Sequence, residues 1–279
     1  TITGSNFGVG EDYTVYFNGQ DVEAAGGSVL NVSHTEIVFT SLEGQSDGAF
    51  SVYVEISGVA SNSTAFYYEA PVLYFLSTSA DDPEDVFNSS VCDRFSEGGC
   101  GLDTEGGYTV ILNGDNFGTS GRYLYFDGTS YSESSGYLNV ISHTQASFLM
   151  VSGVGKNIPV SLQVGSRSSN SLSFAYDPPY VSYISSNTPD AEGDVIEVHG
   201  ANFGTSDDMS APIVYFGDDD GGYYVSECGP ISLGTSLYAS MIQVRNGEYY
   251  IWCSFSRMTV GYKSVFVSIG GQNVSYDAS

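Results

Sequence analysis

One pentapeptide constrains the fold of this chain more than anything else in it. "GSNFG" at 4–8 returns as "GDNFG" at 114–118 and as "GANFG" at 200–204. A catalytic loop is used once per active site, whereas a turn that a fold requires is used once per copy of the fold. Aligning the chain on the pentapeptide brings further elements into register. "VYFNG" (15–19) matches "LYFDG" (124–128) and, more loosely, "VYFGD" (214–218), and "SHTEIVF" (33–39) matches "SHTQASF" (142–148). "SVYVEI" (51–56), "PVSLQV" (159–164) and "SVFVSI" (264–269) alternate with period two, so Val52, Val54 and Ile56, then Val160, Leu162 and Val164, then Val265, Val267 and Ile269 each share one face of a half-buried strand. "SNSTAFYYEAP" (61–71) matches "SNSLSFAYDPP" (169–179), and a shortened "QNVSYDA" (272–278) closes the last copy. The units run 1–70, 71–178 and 179–279.

The length of 279 residues suits two or three such units of about 100 residues each. Tyr, Phe, Gly and Ser are frequent and long charged helix formers are scarce, a bias toward strands and turns. Each unit therefore reads as about seven short strands separated by turns, the pattern of an antiparallel two-sheet sandwich.

In their order, the N-F-G turn, the strand ending "YFxG", the "SHT" strand, the alternating strand and the closing "FYYEAP" or "FAYDPP" resemble the IPT/TIG family of immunoglobulin-like domains. The resemblance covers essentially the whole chain and implies an all-β fold: three tandem β-sandwiches in an extended array. It leaves function open, since the family serves cell-surface receptors, adhesion proteins, secreted glycan-processing enzymes and some transcription factors. The first unit lacks the opening strand that the others show as "APVLYFLS" and "PPYVSYIS", so the chain is expected to start within a domain that has a neighbour upstream. The second unit carries a Cys-containing insertion over 77–103 and the third an acidic, Tyr-rich insertion over 217–240. Individual function is expected there.

Within the pentapeptide, Asn and Gly tolerate backbone angles closed to bulkier residues, so the chain can turn sharply while Phe7, Phe117 or Phe203 plugs the sandwich. A phosphate cradle would need a helix start after the glycines, and none is indicated. His34 and His143 hold the same repeat position before a strand, where a turn-stabilising side chain belongs, and His199 sits alone at a strand end. No set of nucleophile, base and orienting group is suggested, so no catalytic residue and no bound cofactor is expected.

Seven basic residues against thirty-three acidic ones give a field that repels phosphate backbones and anionic headgroups. Nucleic acid and membrane contact within this segment are excluded as partners, and the DNA-binding role found elsewhere in the family conflicts with that balance. No apolar run approaches the roughly 20 residues that cross a bilayer. Thr1 is preceded by no initiator Met and no signal pattern, so the segment reads as processed or excised.

The four cysteines are expected to form two disulfides, Cys92 with Cys100 inside the second unit's loop and Cys228 with Cys253. Cys253 aligns with the inward positions Phe39 and Phe148. A zinc site would want tighter C-x-x-C pairs or histidines near by. Disulfides imply an oxidising, extracellular or cell-surface location. Sequons at Asn31, Asn62, Asn88 and Asn273 point the same way. The acidic loops could supply calcium with oxygen ligands, Asp218, Asp219 and Asp220 being the first candidates, although no fixed-spacing calcium motif is present.

These features suit a non-enzymatic extracellular structural or adhesion protein, a segment of a longer glycosylated rod or filament whose partners are further repeats or other copies of itself. A receptor ectodomain recognising a cell-surface protein or glycan through the insertions is the alternative, with Tyr223, Tyr224 and Tyr238 as anchors. An accessory module of a secreted glycan-active enzyme is a third. The junctions "YYEAPVLY" and "AYDPPYVS" leave almost no linker, and Pro71, Pro178 and Pro179 restrict the backbone there.

Overall fold

The structure is a computed structural model that describes residues 1–10, 12–44, 49–77, 103–185, 195–204, 212–218, 223–225, 227–228, 242–245, 248–254 and 263–277. Strands make up its regular structure, joined among the described residues by one short 3-10 turn at Glu133–Ser135. Among the described residues all strand pairs are antiparallel, and six sheets enclose three separate hydrophobic cores.

The first repeat contains β1 (Ile2–Thr3), β2 (Tyr13–Phe17), β3 (Gln20–Asp21), β4 (Val29–Val32), β5 (Glu36–Phe39), β6 (Phe50–Ile56), β7 (Val59–Ala60) and β8 (Thr64–Phe66). One sheet has the order β1-β5-β4, the other β3-β2-β6-β7 with β8 also on β6. The alternation of β6 turns Val52 and Val54 into the core with Val15, Phe17 and Ile37, as a half-buried strand requires.

The second repeat contains β9 (Val72–Ser77), β10 (Thr109–Asp115), β11 (Arg122–Phe126), β12 (Thr129–Ser132), β13 (Leu138–Val140), β14 (Gln145–Leu149), β15 (Ile158–Val164), β16 (Arg167–Ser168) and β17 (Leu172–Phe174). Its sheets are β13-β14-β10-β9 and β12-β11-β15-β16, with β17 on β15. The second core includes Val160, Leu162 and Val164 from β15.

The third repeat contains β18 (Tyr180–Ile184), β19 (Val195–Ala201), β20 (Ile213–Asp218), β21 (Tyr223–Val225), β22 (Glu227–Cys228), β23 (Ile242–Arg245), β24 (Glu248–Ser254), β25 (Lys263–Ile269) and β26 (Gln272–Asp277). β18-β19-β24-β22 packs against β21-β20-β25-β26. Because β24 gives one flank to β19, both β22 and β23 lie along its other flank. Val265, Val267 and Cys253 are buried in the third core.

Two-residue turns with left-handed backbone close the hairpins. Asn18–Gly19 joins β2 to β3, Asp127–Gly128 joins β11 to β12 and Ser57–Gly58 joins β6 to β7, each pair at positive φ. That backbone matches the twist of the flanking strands, which is why Asn-Gly and Asp-Gly recur at the end of the "YFxG" strands. A tyrosine ties each of the first two sandwiches shut: the Tyr68 hydroxyl donates to the Leu42 carbonyl, and the Tyr176 hydroxyl to Val151 at 2.7 Å. Glycine opposite each ring makes room, since a Cβ at Gly44 or Gly153 would lie within 2.3 or 2.7 Å of the ring.

Candidate functional site

The N-F-G segment is a structural device at each of its three occurrences. Asn6, Asn116 and Asn202 have φ of 65°, 62° and 59°, the left-handed region that Asn enters more cheaply than most residues. Phe7, Phe117 and Phe203 are buried in the three cores. The partner of the turn is the "SHT" segment: Phe7 N–H donates to the His34 carbonyl at 3.1 Å and Phe117 N–H to the His143 carbonyl at 2.9 Å. Both imidazoles are exposed. The histidines thus serve the turn through their backbone, and the side chains that organise it are serines, Ser33 Oγ accepting from Glu36 N–H at 3.0 Å and Ser142 Oγ from Thr144 N–H at 3.2 Å.

The same turn fastens one repeat to the next. Asn116 Nδ2 donates to the Ala70 carbonyl at 3.2 Å, and Asn202 Nδ2 to the Pro178 carbonyl at 3.1 Å. Ala70 and Pro178 are equivalent junction residues, so each Asn amide is held by the point where the chain passes between sandwiches. At the first junction the Arg167 guanidinium also lies 5.7 Å from the Tyr67 ring centroid, a cation–π contact. Glu43, Gly44, Tyr68 and Glu69 of the first repeat line a small cleft there with Asn116, Gly118 and His143 of the second.

At the second junction, backbone also meets backbone. The turn at Gly270–Gly271 between β25 and β26 meets Gly155, where a Cβ on Gly155 would lie 2.9 Å from the Gly270 carbonyl oxygen. Beside it Gln272 Nε2, buried, donates to the Tyr176 carbonyl at 2.9 Å. A buried amide bonded to a buried carbonyl costs roughly 1–3 kcal/mol to break on one side.

A polar aromatic cluster lies on the outward face of the β18-β19-β24 sheet. The rings of His199 and Tyr183 stack at 4.2 Å and 10°. His199 Nε2 is 3.0 Å from Glu197 Oε2, and Trp252 Nε1 donates to Glu197 Oε1 at 3.1 Å. His199 is therefore not alone, as its position at a strand end suggests, but is built into a network. The signal was present in the alternation of β19: Ile196 and Val198 face inward, which leaves Glu197 and His199 together on the other face.

Of the cysteines, Cys253 is fully buried and pairs in register with Cys228 across β24 and β22. Cys92, Cys100 and Asn88 lie outside the described residues. Asn31 on β4, Asn62 and Asn273 on β26 are exposed. Asp218 ends β20 and Tyr223 and Tyr224 lie on β21, while Asp219, Asp220 and Tyr238 fall outside the described residues. Among the described residues no group of three or more His, Cys, Asp or Glu side chains could hold a metal ion, and no helix is long and apolar enough to cross a membrane.

The family model described as IPT/TIG domain matches residues 1–68 and 102–176, about half of the chain. No curated protein matches. Among solved structures, the chain is similar to the surface glycan-binding protein PbSGBP-B from Prevotella bryantii, at 14% identity and a TM-score of 0.37, covering 75% of this chain and 41% of that one. It is also similar to SGBP-B from a complex xyloglucan utilization locus in Bacteroides uniformis, at 16% identity and a TM-score of 0.25, covering 75% of this chain and 49% of that one. The chain spans less than half the length of either structure.

Proposed function

The chain belongs to the IPT/TIG domain family, and from that membership we propose that residues 1–279 are a non-catalytic spacer segment of a longer extracellular protein, a stiff run of three sandwiches with an adhesive or structural role. The third repeat is, in this reading, a further copy of the same domain, carrying the turn at Gly200, Asn202 and Phe203. The observation that supports stiffness most is the repeated use of the N-F-G asparagine as a brace on the preceding junction, at Ala70 and again at Pro178. A linker of Gly and Ser would need no such brace. Proline at both junctions narrows the backbone further.

The extracellular setting rests on the proposed Cys228–Cys253 bond, whose two residues stand directly opposite in the β22–β24 ladder, a separation that suits a disulfide. The proposed partners are further repeats of the same kind. Electron microscopy of single molecules tests the reading: one recurring bend at each junction supports it, and a continuum of bends contradicts it. A second reading, a receptor segment that recognises a protein or glycan, is favoured by Tyr183, Glu197 and Trp252 on the sheet face away from the core, with His199 buried against the Tyr183 ring. A glycan or protein ligand whose binding is lost in Trp252→Ala would establish that role.

A further inference from the structure

Tyr16 and Tyr53 stand directly opposite each other in the β2–β6 ladder. Their chain neighbours Val15, Phe17, Val52 and Val54 are buried, so alternation turns both tyrosines to the sheet face away from the core, where they are half-buried. The rings stack with centroids 4.8 Å apart and planes 12° from parallel. Directly opposite residues are the closest cross-strand neighbours on a sheet face, and here both are phenols.

The position recurs, but the pair of phenols does not. Tyr125 of β11 faces Ser161 of β15, and Tyr215 of β20 faces Phe266 of β25. Tyr215 and Phe266 stack in the same way, at 5.2 Å and 8°, so stacking at this site does not need a second hydroxyl. Tyr131 and Tyr137 also touch, but edge-on, at 5.4 Å and 61°. Acidic groups flank Tyr16: Asp21 is its partner on β3, and Glu55 lies two residues beyond Tyr53. Glu55, ahead of burial, Tyr53 and Asp21, raises the Tyr16 pKa above the ordinary 10.0, which keeps the phenol protonated at neutral pH. Negative charge beside a ring also favours removal of an electron from it.

We propose that Tyr16 and Tyr53 form an oxidative cross-linking site, at which a peroxidase using hydrogen peroxide joins the two rings into a dityrosine within one chain. The peroxidase takes one electron from each phenol, and each phenol releases its proton. The two phenoxyl radicals then form a carbon–carbon bond between the ring positions ortho to their oxygens. Each bonded carbon loses its hydrogen as a proton while its oxygen regains one, which restores both aromatic rings. Two electrons and two protons leave in all, and one hydrogen peroxide is reduced to two waters. Stacking makes the coupling a reaction between held neighbours, which favours it over encounters between molecules. The bond ties β2 to β6 and closes the chain between residues 16 and 53 into a loop, which restricts the unfolded state as a disulfide does. This site rests on ring geometry and is independent of the spacer role proposed above.

The test treats the 279-residue protein, dilute, with a haem peroxidase and hydrogen peroxide. Dityrosine fluorescence is expected in material that stays monomeric on a denaturing gel. Peptide mapping should find the peptide of Tyr16 joined to that of Tyr53 at their summed mass less two hydrogens. Tyr53→Phe copies the stack of Tyr215 on Phe266, and with its fold checked by circular dichroism it should lose this link. Oxidation should raise the urea concentration at which the first repeat unfolds, followed by hydrogen exchange in β6, and should not do so in Tyr53→Phe. Absence of the 16–53 link, equal monomeric dityrosine in Tyr53→Phe, coupling only between molecules, or a cross-linked first repeat no harder to unfold would each overturn the proposal.

Discussion

Gly155 and Gly270 approach so closely across the boundary between the second and third repeats that a Cβ on Gly270 would lie 2.5 Å from the Gly155 Cα. Gly270 has φ of 55° and Gly155 of 107°, so each position disfavours a side chain by its backbone and by its neighbour. Gly270→Val is expected to part the junction, destabilising the contact by about 1–3 kcal/mol. Calorimetry should show the third repeat melting separately and earlier, while the second keeps its transition.

The plug residues differ in burial, and their substitution should differ with it. Phe117 is fully buried whereas Phe7 is 8% exposed. Phe117→Ala should cost about 3–5 kcal/mol, and Phe7→Ala less. Urea unfolding of the two variants, followed by tyrosine fluorescence, checks the order.

Much of this was legible in the chain itself, for identifiable reasons. Asn and Gly at fixed offsets reported left-handed backbone, and the period-two runs reported inward Val160, Leu162 and Val164 because alternation is a property of the strand alone. The braces were not legible. That Asn116 reaches Ala70 depends on how two sandwiches meet, and nothing local in "GDNFG" encodes it. The histidines of "SHT" suggested turn-stabilising side chains, yet their carbonyls do the work, which any residue type could supply. His199 looked isolated because its partners Tyr183 and Trp252 are brought in by β18 and β24, distant in sequence.

Alkaline pH should loosen the first repeat through Tyr68. Burial raises the Tyr68 pKa above the ordinary tyrosine value of 10.0. The folded state thus holds the proton more tightly than the unfolded chain, so its contribution is complete below about pH 10 and is lost as pH rises through the folded value. Tyr68→Phe removes the hydroxyl bond to Leu42 and with it this part of the pH dependence. Thermal melts between pH 8 and 11 should show a shallower decline for the variant.

Peptide mapping without reduction should recover Cys228 linked to Cys253. Adding a reductant should lower the midpoint of the third repeat, since removing a native disulfide from a small domain typically costs about 2–5 kcal/mol. Four free thiols in native material would contradict the pairing and the extracellular setting together.

Stiffness of the repeat array is the central claim, and small-angle scattering of residues 1–279 measures it most directly. One elongated arrangement of three sandwiches, unchanged between low and moderate salt, should fit the distance distribution, which should broaden for the double variant Asn116→Ala, Asn202→Ala. A native profile that requires a wide ensemble of angles between the repeats, or a compact clustering of the three, would contradict it.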